Sequence, residues 1–342
     1  MKALVLTEYN RLEYIDVPEP QMQPDEVLVQ VKACGICGSD IHGLDGSTGR
    51  RIPPLIMGHE AAGVIVDTGA RVNGWKRGQR VTFDSTLYCG RCQYCKQGLI
   101  NLCDSRQVLG VACEEFRRDG AFAEYIAVPQ RVVYALPDDL PFEQATMVEP
   151  TSVAVHGVTR LPIRLSDTAV VIGAGVIGLL AVQALRAVGC GKIIAVDVDR
   201  GRLEMARELG ADAAIDSGAD AAEQVRRQTG GRGADVALEA VGMPATVRLA
   251  VECVRKGGSV AQVGNVSPTG EFPLQALVSR QMTVFGSAAS CGEYPACLDM
   301  MRRGAIRVEP LVSAVAPLSE GAQWFERLRN REVGLMKVIL TP

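Results

Sequence analysis

The sequence predicts an α/β protein of two domains, a β-rich domain and a domain built on a doubly wound parallel sheet. The chain has 342 residues, which suits two domains of about 100–200 residues each. Residues 1–35 alternate short apolar runs with turn signals and show no helical period, as antiparallel strands do. From residue 168 onward, apolar strand-like runs alternate with helical segments, and this alternation predicts a parallel sheet.

Composition and charge exclude several functional classes. Lys and Arg number 36 against 39 for Asp and Glu, a net charge of −3, so no general basic field attracts nucleic acid or an anionic membrane. No apolar run reaches the roughly 18 residues of a membrane span. The N-terminus lacks the apolar region and cleavage site of a signal peptide. We therefore expect no nucleic-acid partner, no membrane association and a cytoplasmic location.

The β-rich part should begin with strands at residues 3–6, 12–15 and 27–33, with further strands after Glu60 and at 120–128. Helical character should begin within residues 137–145. Glu149 precedes Pro150, and a residue before proline is disfavoured in a helix, so we expect Glu149 outside one. Residues 151–165 should be helical, with His156 packed against that helix's neighbours.

The parallel sheet should use strands at residues 168–172, 192–197, 213–215, 234–239, 258–264 and 283–286. Helices should connect them, the first at 179–185. The tail should add a helix near 295–303 and strands near 311–313 and 335–340.

Four side chains from distant segments form a candidate metal centre: Cys37, His59, Glu60 and Glu149. One thiolate, one imidazole and two carboxylates suffice for a tetrahedral zinc with an open position. Such an ion polarises an oxygen and lowers the pKa of a bound hydroxyl. Cys34 and Cys37 could instead be a redox pair, but no thioredoxin-like frame surrounds them, and Cys34 fits a small buried strand residue better.

A second group consists of four closely spaced cysteines, Cys89, Cys92, Cys95 and Cys103. Four thiolates at these spacings can close a tetrahedral cage that leaves no open position. A closed site of this kind is structural, and it should hold an otherwise irregular loop. We therefore expect one catalytic and one structural zinc per chain.

A glycine-rich turn follows the strand at 168–172 and opens a helix, which is the context of a dinucleotide-phosphate turn. The phosphate-facing candidates are Gly173, Gly175, Val176, Ile177 and Gly178, with amides at the helix N-terminus. Asp197 ends the next strand, where an acid binds the adenosine ribose and repels a 2′-phosphate. This favours NAD over NADP. Strand ends at Gly264, Asn265, Ser287 and Ala288 should lie along the nicotinamide half.

The segment Gly58-His59-Glu60-Ala61-Ala62-Gly63, followed by Gly69 and Val72, resembles the signature of zinc-dependent medium-chain alcohol dehydrogenases. The resemblance covers essentially the whole chain. It implies a GroES-like catalytic domain at residues 1–150 and 290–342, and a Rossmann domain for NAD at 151–289. Glu149, where simple-alcohol enzymes commonly carry Cys, resembles the sorbitol (polyol) dehydrogenase branch. Whether Glu149, Glu60 or a water fills the fourth zinc position stays open.

The resemblance also implies roles for other residues. Ser39 matches a hydroxyl that contacts the substrate oxygen, and His42 matches a proton-relay histidine. With Glu60, these two are the candidate catalytic residues. Asp40 is a plausible partner that orients His59. Arg202 matches an arginine that accompanies NAD in the sorbitol dehydrogenase pattern.

Together these features predict an oxidoreductase that transfers a hydride from a secondary alcohol (a polyol, cyclitol or sugar) to NAD and forms a ketone. Ala289 and Ser290 stand where sorbitol dehydrogenase has an Arg-Tyr pair, which argues against sorbitol itself. An enzyme like L-threonine 3-dehydrogenase, a sugar-phosphate dehydrogenase, and a non-catalytic NAD-binding protein are the alternatives. The family forms dimers and tetramers, so we expect a homo-oligomer, with a homotetramer as the specific expectation.

Overall fold

A computed structural model describes all 342 residues. The strands are β1 (Lys2–Glu8), β2 (Arg11–Asp16), β3 (Glu26–Gly35), β4 (Leu55–Ile56), β5 (Glu60–Thr68), β6 (Arg80–Phe83), β7 (Thr86–Leu87), β8 (Gln107–Val108), β9 (Val111–Ala112), β10 (Arg117–Arg118), β11 (Tyr125–Pro129), β12 (Val133–Ala135), β13 (Thr168–Ile172), β14 (Lys192–Asp197), β15 (Ala213–Asp216), β16 (Ala234–Glu239), β17 (Val254–Gln262), β18 (Thr283–Gly286), β19 (Val312–Pro317) and β20 (Lys337–Thr341). The helices are α1 (Gly38–Gly43), α2 (Gln93–Lys96), α3 (Phe142–Ala145), α4 (Val148–Thr159), α5 (Val176–Ala187), α6 (Arg200–Glu208), α7 (Ala221–Gln228), α8 (Pro244–Cys253), α9 (Leu274–Ser279), α10 (Tyr294–Arg302) and α11 (Gly321–Arg329). None of the helices combines the length and apolar character needed to cross a membrane.

The chain divides into two compact units. Unit 1 comprises Met1–Glu149, Tyr294–Arg302 and Val308–Pro342, and unit 2 comprises Pro150–Glu293 and Arg303–Arg307. The predicted bounds placed all of 290–342 with the first domain. Arg303–Arg307 instead belongs to unit 2, where the Gln183 side chain accepts from the Arg307 amide at 2.7 Å and donates to its carbonyl at 3.0 Å.

Unit 1 contains a sheet in the order β12-β6-β5-β3-β20-β19, with β11 also paired to β3, and a smaller sheet in the order β2-β1-β4. Alternating apolar residues of these strands fill one core, which includes an edge-to-face contact of Phe122 and Phe325 at 5.6 Å. The register pairs Gly35 of β3 with Glu60 of β5 and with Ile339 of β20. The C-terminal end of β3 therefore lies between the start of β5 and β20, two strands from distant parts of the sequence.

Unit 2 contains a six-stranded parallel sheet in the order β15-β14-β13-β16-β17-β18. Counted from β13, this order is 3-2-1-4-5-6, the doubly wound arrangement that binds ligands where the strand order reverses. The strands read as continuous apolar runs because helices cover both faces. The predicted fold class, a β-rich domain and a Rossmann domain with a doubly wound parallel sheet, is confirmed.

Besides shifted element ends, such as α4 ending at Thr159 and not at residue 165, two local predictions were wrong. Glu149 lies inside helix α4, in its first turn, because a proline is tolerated there: the amide it lacks would have no intrahelical partner in any case. Residues 120–124 are not in a strand, and β11 begins only at Tyr125. The backbone amides of Gly120, Ala121 and Phe122 instead donate to the carbonyls of Ile56, Gly58 and Met57, respectively.

Candidate metal centres and dinucleotide site

The structure brings Cys37, His59 and Glu60 together. Their ligand atoms all lie within 4.8 Å of one another. Cys37 is the N-cap of α1, directly after β3, and Glu60 is the first residue of β5. Because β3 and β5 pair with Gly35 opposite Glu60, the short connection from β3 to α1 places the thiol beside the start of β5. One soft and two harder ligands at this spacing fit a zinc ion.

The charges around His59 favour a cation. The imidazole is buried, and its Nδ1 lies 3.4 Å from Oδ1 of Asp40 without a well-aligned hydrogen bond. Burial opposes charging of the ring, but Asp40 and Cys37 raise the pKa of His59 well above its usual range. Since Nδ1 faces Asp40, Nε2 is the ring nitrogen left for a metal. This contact agrees with the predicted orienting role of Asp40.

Glu60 is held by a lysine. The Lys337 ammonium donates to both carboxylate oxygens of Glu60, at 2.8 and 2.6 Å, and to the Ile36 carbonyl at 3.0 Å. Lys337 and Glu60 are 3% and 1% exposed. A Cβ atom at Gly35 would lie 2.3 Å from the Glu60 carboxylate, so a glycine there leaves room for this pair. Glu60 is therefore fixed by a counter-ion and also available to a metal.

Glu149 is not part of the three-residue group. It is close enough for its charge to interact with His59 and Glu60. Burial of its carboxyl group raises the pKa of Glu149 to about 7, and the carboxylates of Glu60 and Asp84 act in the same direction. Its predicted role as a fourth ligand stays a prediction.

The two other candidate catalytic residues lie on α1. The Ser39 hydroxyl donates to Cys37 Sγ at 3.3 Å, so it lies beside the candidate metal-ligand group. Ser39 is also solvent-exposed. His42 is exposed in the last turn of the same helix. Ser39 thus lies at the group, whereas His42 is one helical turn away from it.

The four clustered cysteines also come together, with all four sulfur atoms within 4.8 Å. Cys95 Sγ lies 4.0 Å from Cys89 Sγ and 3.5 Å from Cys92 Sγ. A tetrahedron with Zn–S bonds of about 2.3 Å has edges of about 3.8 Å, so these separations match. Backbone amides of Arg91 and Cys92 donate to Cys89 and lower the pKa of its thiol to about 6. All eleven cysteines are free of disulfides.

The glycine turn has the geometry of a phosphate cradle. Gly173 has φ +94° and makes the turn after β13, and Gly175 caps α5. A Cβ at Gly175 would meet no protein atom within 4 Å, whereas one at Gly178 would lie 1.7 Å from the Gly173 carbonyl. The second glycine therefore opens space in front of the helix amides of Val176 and Ile177, and the third allows close helix–strand packing.

Asp197 stands beside this turn at the end of β14. Its carboxylate accepts from the Ala174 amide at 2.6 Å and from the Asp199 amide at 2.9 Å, so it holds the glycine turn. A carboxylate retains further acceptor positions for ribose hydroxyls. Arg202 lies in the first turn of α6, its amide bonded to Asp199.

The predicted nicotinamide-side residues follow the ends of β17 and β18. Gly264 packs against Gly242, where a Cβ would lie 2.2 Å from the Gly242 amide nitrogen, and Asn265 beyond it is exposed. The Ser287 hydroxyl is buried without a hydrogen-bond partner, and Ala288 is exposed. Their cofactor contacts stay predictions.

Sequence reasoning missed Lys337 and Arg51. Both are charged residues that are buried by partners distant in sequence: Lys337 pairs with Glu60, and Arg51 pairs with Asp40 at 3.0 Å. The only available signal for Lys337 was a lysine inside the otherwise apolar run of residues 335–340.

Comparison with known proteins agrees with this geometry. Residues 23–138 match the alcohol dehydrogenase GroES-like domain, and residues 176–303 match the zinc-binding dehydrogenase domain. A sorbitol dehydrogenase of Bacillus subtilis is 36% identical, with 100% of this chain and 97% of that protein aligned. The chain belongs to the zinc-binding alcohol dehydrogenase family. As a member of this family it is an oxidoreductase, and its resemblance to the polyol branch is confirmed.

Further relatives extend across both units of this family member. A probable D-xylulose reductase A of Aspergillus clavatus is 33% identical over 96% of this chain and 93% of its own length. The solved structure of alcohol dehydrogenase TADH from Thermus sp. ATN1 is 33% identical, covers 100% of this chain and 99% of its own, and superposes with a TM-score of 0.92.

Proposed function

We propose that this dehydrogenase oxidises a secondary alcohol of the polyol class to a ketone, with zinc at Cys37, His59 and Glu60 and with NAD as the hydride acceptor. The observation that carries the proposal is the meeting of those three ligand atoms within 4.8 Å, in a chain that also holds an open glycine turn before α5. Either feature alone would fit a structural metal or a nucleotide-binding protein. Together they fit alcohol oxidation.

The donor set fits zinc in two ways. The group combines one thiolate, one imidazole with Nε2 free and one carboxylate, which is the ligand chemistry of an open zinc site. The negative groups Asp40 and Cys37, which raise the pKa of His59, support the proposal of a cation at this position. When bound, zinc would supply Lewis acidity toward the alcohol oxygen, and the dinucleotide would accept the hydride.

The residues of the chain then have separable tasks. Lys337 holds Glu60 by two hydrogen bonds, and Asp40, 3.4 Å from Nδ1 of His59, is placed to orient that ring. The exposed Ser39 hydroxyl, already next to Cys37 Sγ, is placed to bond the substrate oxygen and to take part in removal of its proton. His42, exposed on the same helix, is the candidate that passes this proton to solvent.

The polyol class is supported by the relatives, which are named for sorbitol and D-xylulose. Sorbitol itself is a poor fit. Ala289 occupies the left-handed region with φ +52°, and Ser290 is 3% exposed, so neither offers the charged, bidentate contacts that an arginine would make with substrate hydroxyls. We therefore expect another polyol, a cyclitol or a sugar to be the better substrate.

Asp197 supports NAD over NADP. Its carboxylate lies at the strand end beside the glycine turn, where a 2′-phosphate would meet its negative charge. Replacing Asp197 with Ala should lower the ratio of kcat/KM for NAD to that for NADP by at least about tenfold, since one like-charge contact of this kind is worth about 1.4 kcal/mol or more. An unchanged ratio would show that Asp197 does not set the preference.

We also propose a homo-oligomer, either a dimer or a tetramer. β18 is an edge strand of the unit 2 sheet, and the preceding helix α9 exposes Leu274 (67%) and Val278 (78%); unpaired edges and apolar patches are typical of association surfaces. Light scattering should give a mass above the monomer's 36.5 kDa. The double variant Leu274→Glu, Val278→Glu should lower that measured mass.

The eleven free cysteines favour a reducing compartment such as the cytoplasm.

The function is tested by following NADH absorbance across a panel of polyols, cyclitols and sugars. At least one secondary alcohol should support turnover. Cys37→Ala should lower kcat/KM by about 100–1,000-fold or more while NADH binding, read by fluorescence, stays. Cys113→Ala is the matched control, because Cys113 is also partly buried and belongs to neither metal group. Full activity of the Cys37 variant would refute the proposal.

A further inference from the structure

Arg51 is a buried charge that the chemistry described so far does not use. It is 4% exposed and lies shortly before β4, the strand that leads to His59. Its backbone is fixed on both sides, because the Arg50 carbonyl accepts from the Ala112 amide and the Ile52 amide donates to the Ala112 carbonyl. A guanidinium removed from water costs stability unless its partners compensate for the loss of hydration. Its partners therefore indicate what the side chain is for.

All of those partners except one belong to helix α1. Nη2 of Arg51 donates to Oδ1 of Asp40 at 3.0 Å and to the Ser39 hydroxyl at 3.4 Å. The alkyl part of Arg51 packs against Gly43, where a Cβ atom would lie 2.3 Å from Cγ of Arg51. The exception is the Arg50 carbonyl, which accepts from Nη1 at 3.0 Å. One side chain thus contacts helix α1 from Ser39 to Gly43.

The same Asp40 oxygen is shared between Arg51 and His59. Oδ1 of Asp40 lies 3.0 Å from Nη2 of Arg51 and 3.4 Å from Nδ1 of His59. Asp40 is fully buried, and its other oxygen accepts from the Cys37 amide at 3.3 Å. Without Arg51, this carboxylate would keep only weak partners and would turn toward whichever donor was nearest. The direction in which Asp40 presents its oxygen to His59 therefore depends on Arg51.

We propose that Arg51 is a positioning residue of the candidate catalytic metal centre: it locks Asp40 and Ser39, and through them sets the orientation of His59 and Cys37 toward zinc. The inference rests on the proposed function, because it needs a metal at Cys37 and His59. Arg51 itself touches neither ligand. A guanidinium suits the task because its planar donors hold two acceptors in fixed directions, which a lysine ammonium does not.

Zinc retention reads this role without relying on turnover. The zinc-loaded enzyme is mixed with excess of the chelating dye 4-(2-pyridylazo)resorcinol, and zinc release is followed by absorbance. Two phases are expected, and Cys37→Ser should abolish the one that belongs to the candidate catalytic centre. Partners that orient metal ligands are worth about 10–100-fold in metal affinity, so Arg51→Met should speed that phase by about this factor. The phase of the four-cysteine site should not change, which makes it an internal control.

Three more variants sharpen the test. Arg50→Met is the matched control, since Arg50 is the exposed neighbour, and it should leave both phases as in the wild type. Arg51→Lys keeps the charge and should fall between wild type and Arg51→Met. Gly43→Ala keeps every charged group but pushes on the Arg51 stem; it should also speed the Cys37-dependent phase, and it serves if Arg51→Met does not fold.

The possible failures are distinguishable. If the wild-type enzyme shows no phase that depends on Cys37, the proposed metal centre is wrong and Arg51 falls with it. If that phase exists but neither Arg51→Met nor Gly43→Ala changes it, the metal centre stands and the role of Arg51 is refuted. Equal acceleration of both phases would also overturn the proposal, because it would show a general loss of stability.

Discussion

Replacing Lys337 with Met should destabilise unit 1 far more than its position near the C-terminus suggests. The methionine side chain fills a similar volume but cannot compensate the Glu60 carboxylate, which is 1% exposed and receives two hydrogen bonds from Lys337 at 2.6 and 2.8 Å. The Ile36 carbonyl would lose its bond to the ammonium as well. In the metal-free protein, the variant therefore leaves the buried Glu60 carboxylate without its partner.

Breaking a buried ion pair by removal of one partner costs about 3–5 kcal/mol. For a domain of 150–250 residues, each kcal/mol shifts the midpoint by roughly 2–4 °C, so the fall should be roughly 6–20 °C. The sign of the pH dependence follows from Lys337. Burial alone would lower its pKa, but Glu60 raises it above the ordinary 10.5. The contribution of Lys337 should be complete at neutral pH and be lost as pH rises through that raised value.

The assay is thermal unfolding by circular dichroism, with the double variant Lys337→Met, Glu60→Gln completing a cycle. The double variant should be more stable than Lys337→Met alone, because it no longer buries an uncompensated charge. Lys2→Met is the matched control: Lys2 and Asp16 form an ion pair of similar length, 2.7 Å, but at 42% and 77% exposure, and such surface pairs contribute little. Equal midpoints for the Lys337 and Lys2 variants would refute the reasoning.

Two further predictions concern the glycine turn and the four-cysteine site. Gly178→Ala, which would place a Cβ 1.7 Å from the Gly173 carbonyl, should disrupt unit 2. Gly175→Ala, which has open space around it, should leave thermal unfolding unchanged and weaken NADH binding. Unfolding curves and NADH fluorescence titration would separate the two variants, and identical behaviour would contradict the cradle geometry. Cys92→Ser should reduce bound zinc by one equivalent and lower the unfolding midpoint, while the dinucleotide affinity stays unchanged. Elemental analysis would measure the zinc, and the same two assays would measure unfolding and NADH binding. Retention of both metals would contradict the closed four-cysteine site.

Local sequence patterns were sufficient for most strands of unit 2. Strand β14 was predicted at residues 192–197 and β18 at 283–286, the bounds they have in the structure. Buried parallel strands and the helices between them leave strong periodic signals, because both faces of each strand are apolar. The glycine turn was equally readable, since its φ values and close approaches demand glycine at fixed positions.

The charges that support the candidate metal centre were not readable from sequence. Lys337 lies 277 positions from Glu60, and a single lysine in a strand reads as a surface residue until the pairing of β3 with β20 is known. The burial of Arg51 could not be predicted either, because a charged residue in a proline-flanked loop gives no sign of burial. Glu149 was misjudged for a different reason: the restriction before proline is a preference, and the first turn of α4 overrides it.

The zinc centre itself is tested most directly by anomalous X-ray scattering at the zinc edge from crystals of the enzyme as purified. The account predicts two peaks per chain, one inside the four-cysteine site and one within bonding distance of Cys37 Sγ and His59 Nε2, about 2.3 and 2.0–2.1 Å respectively. A single peak at the four-cysteine site, with the thiol of Cys37 and the ring of His59 turned apart, would contradict it.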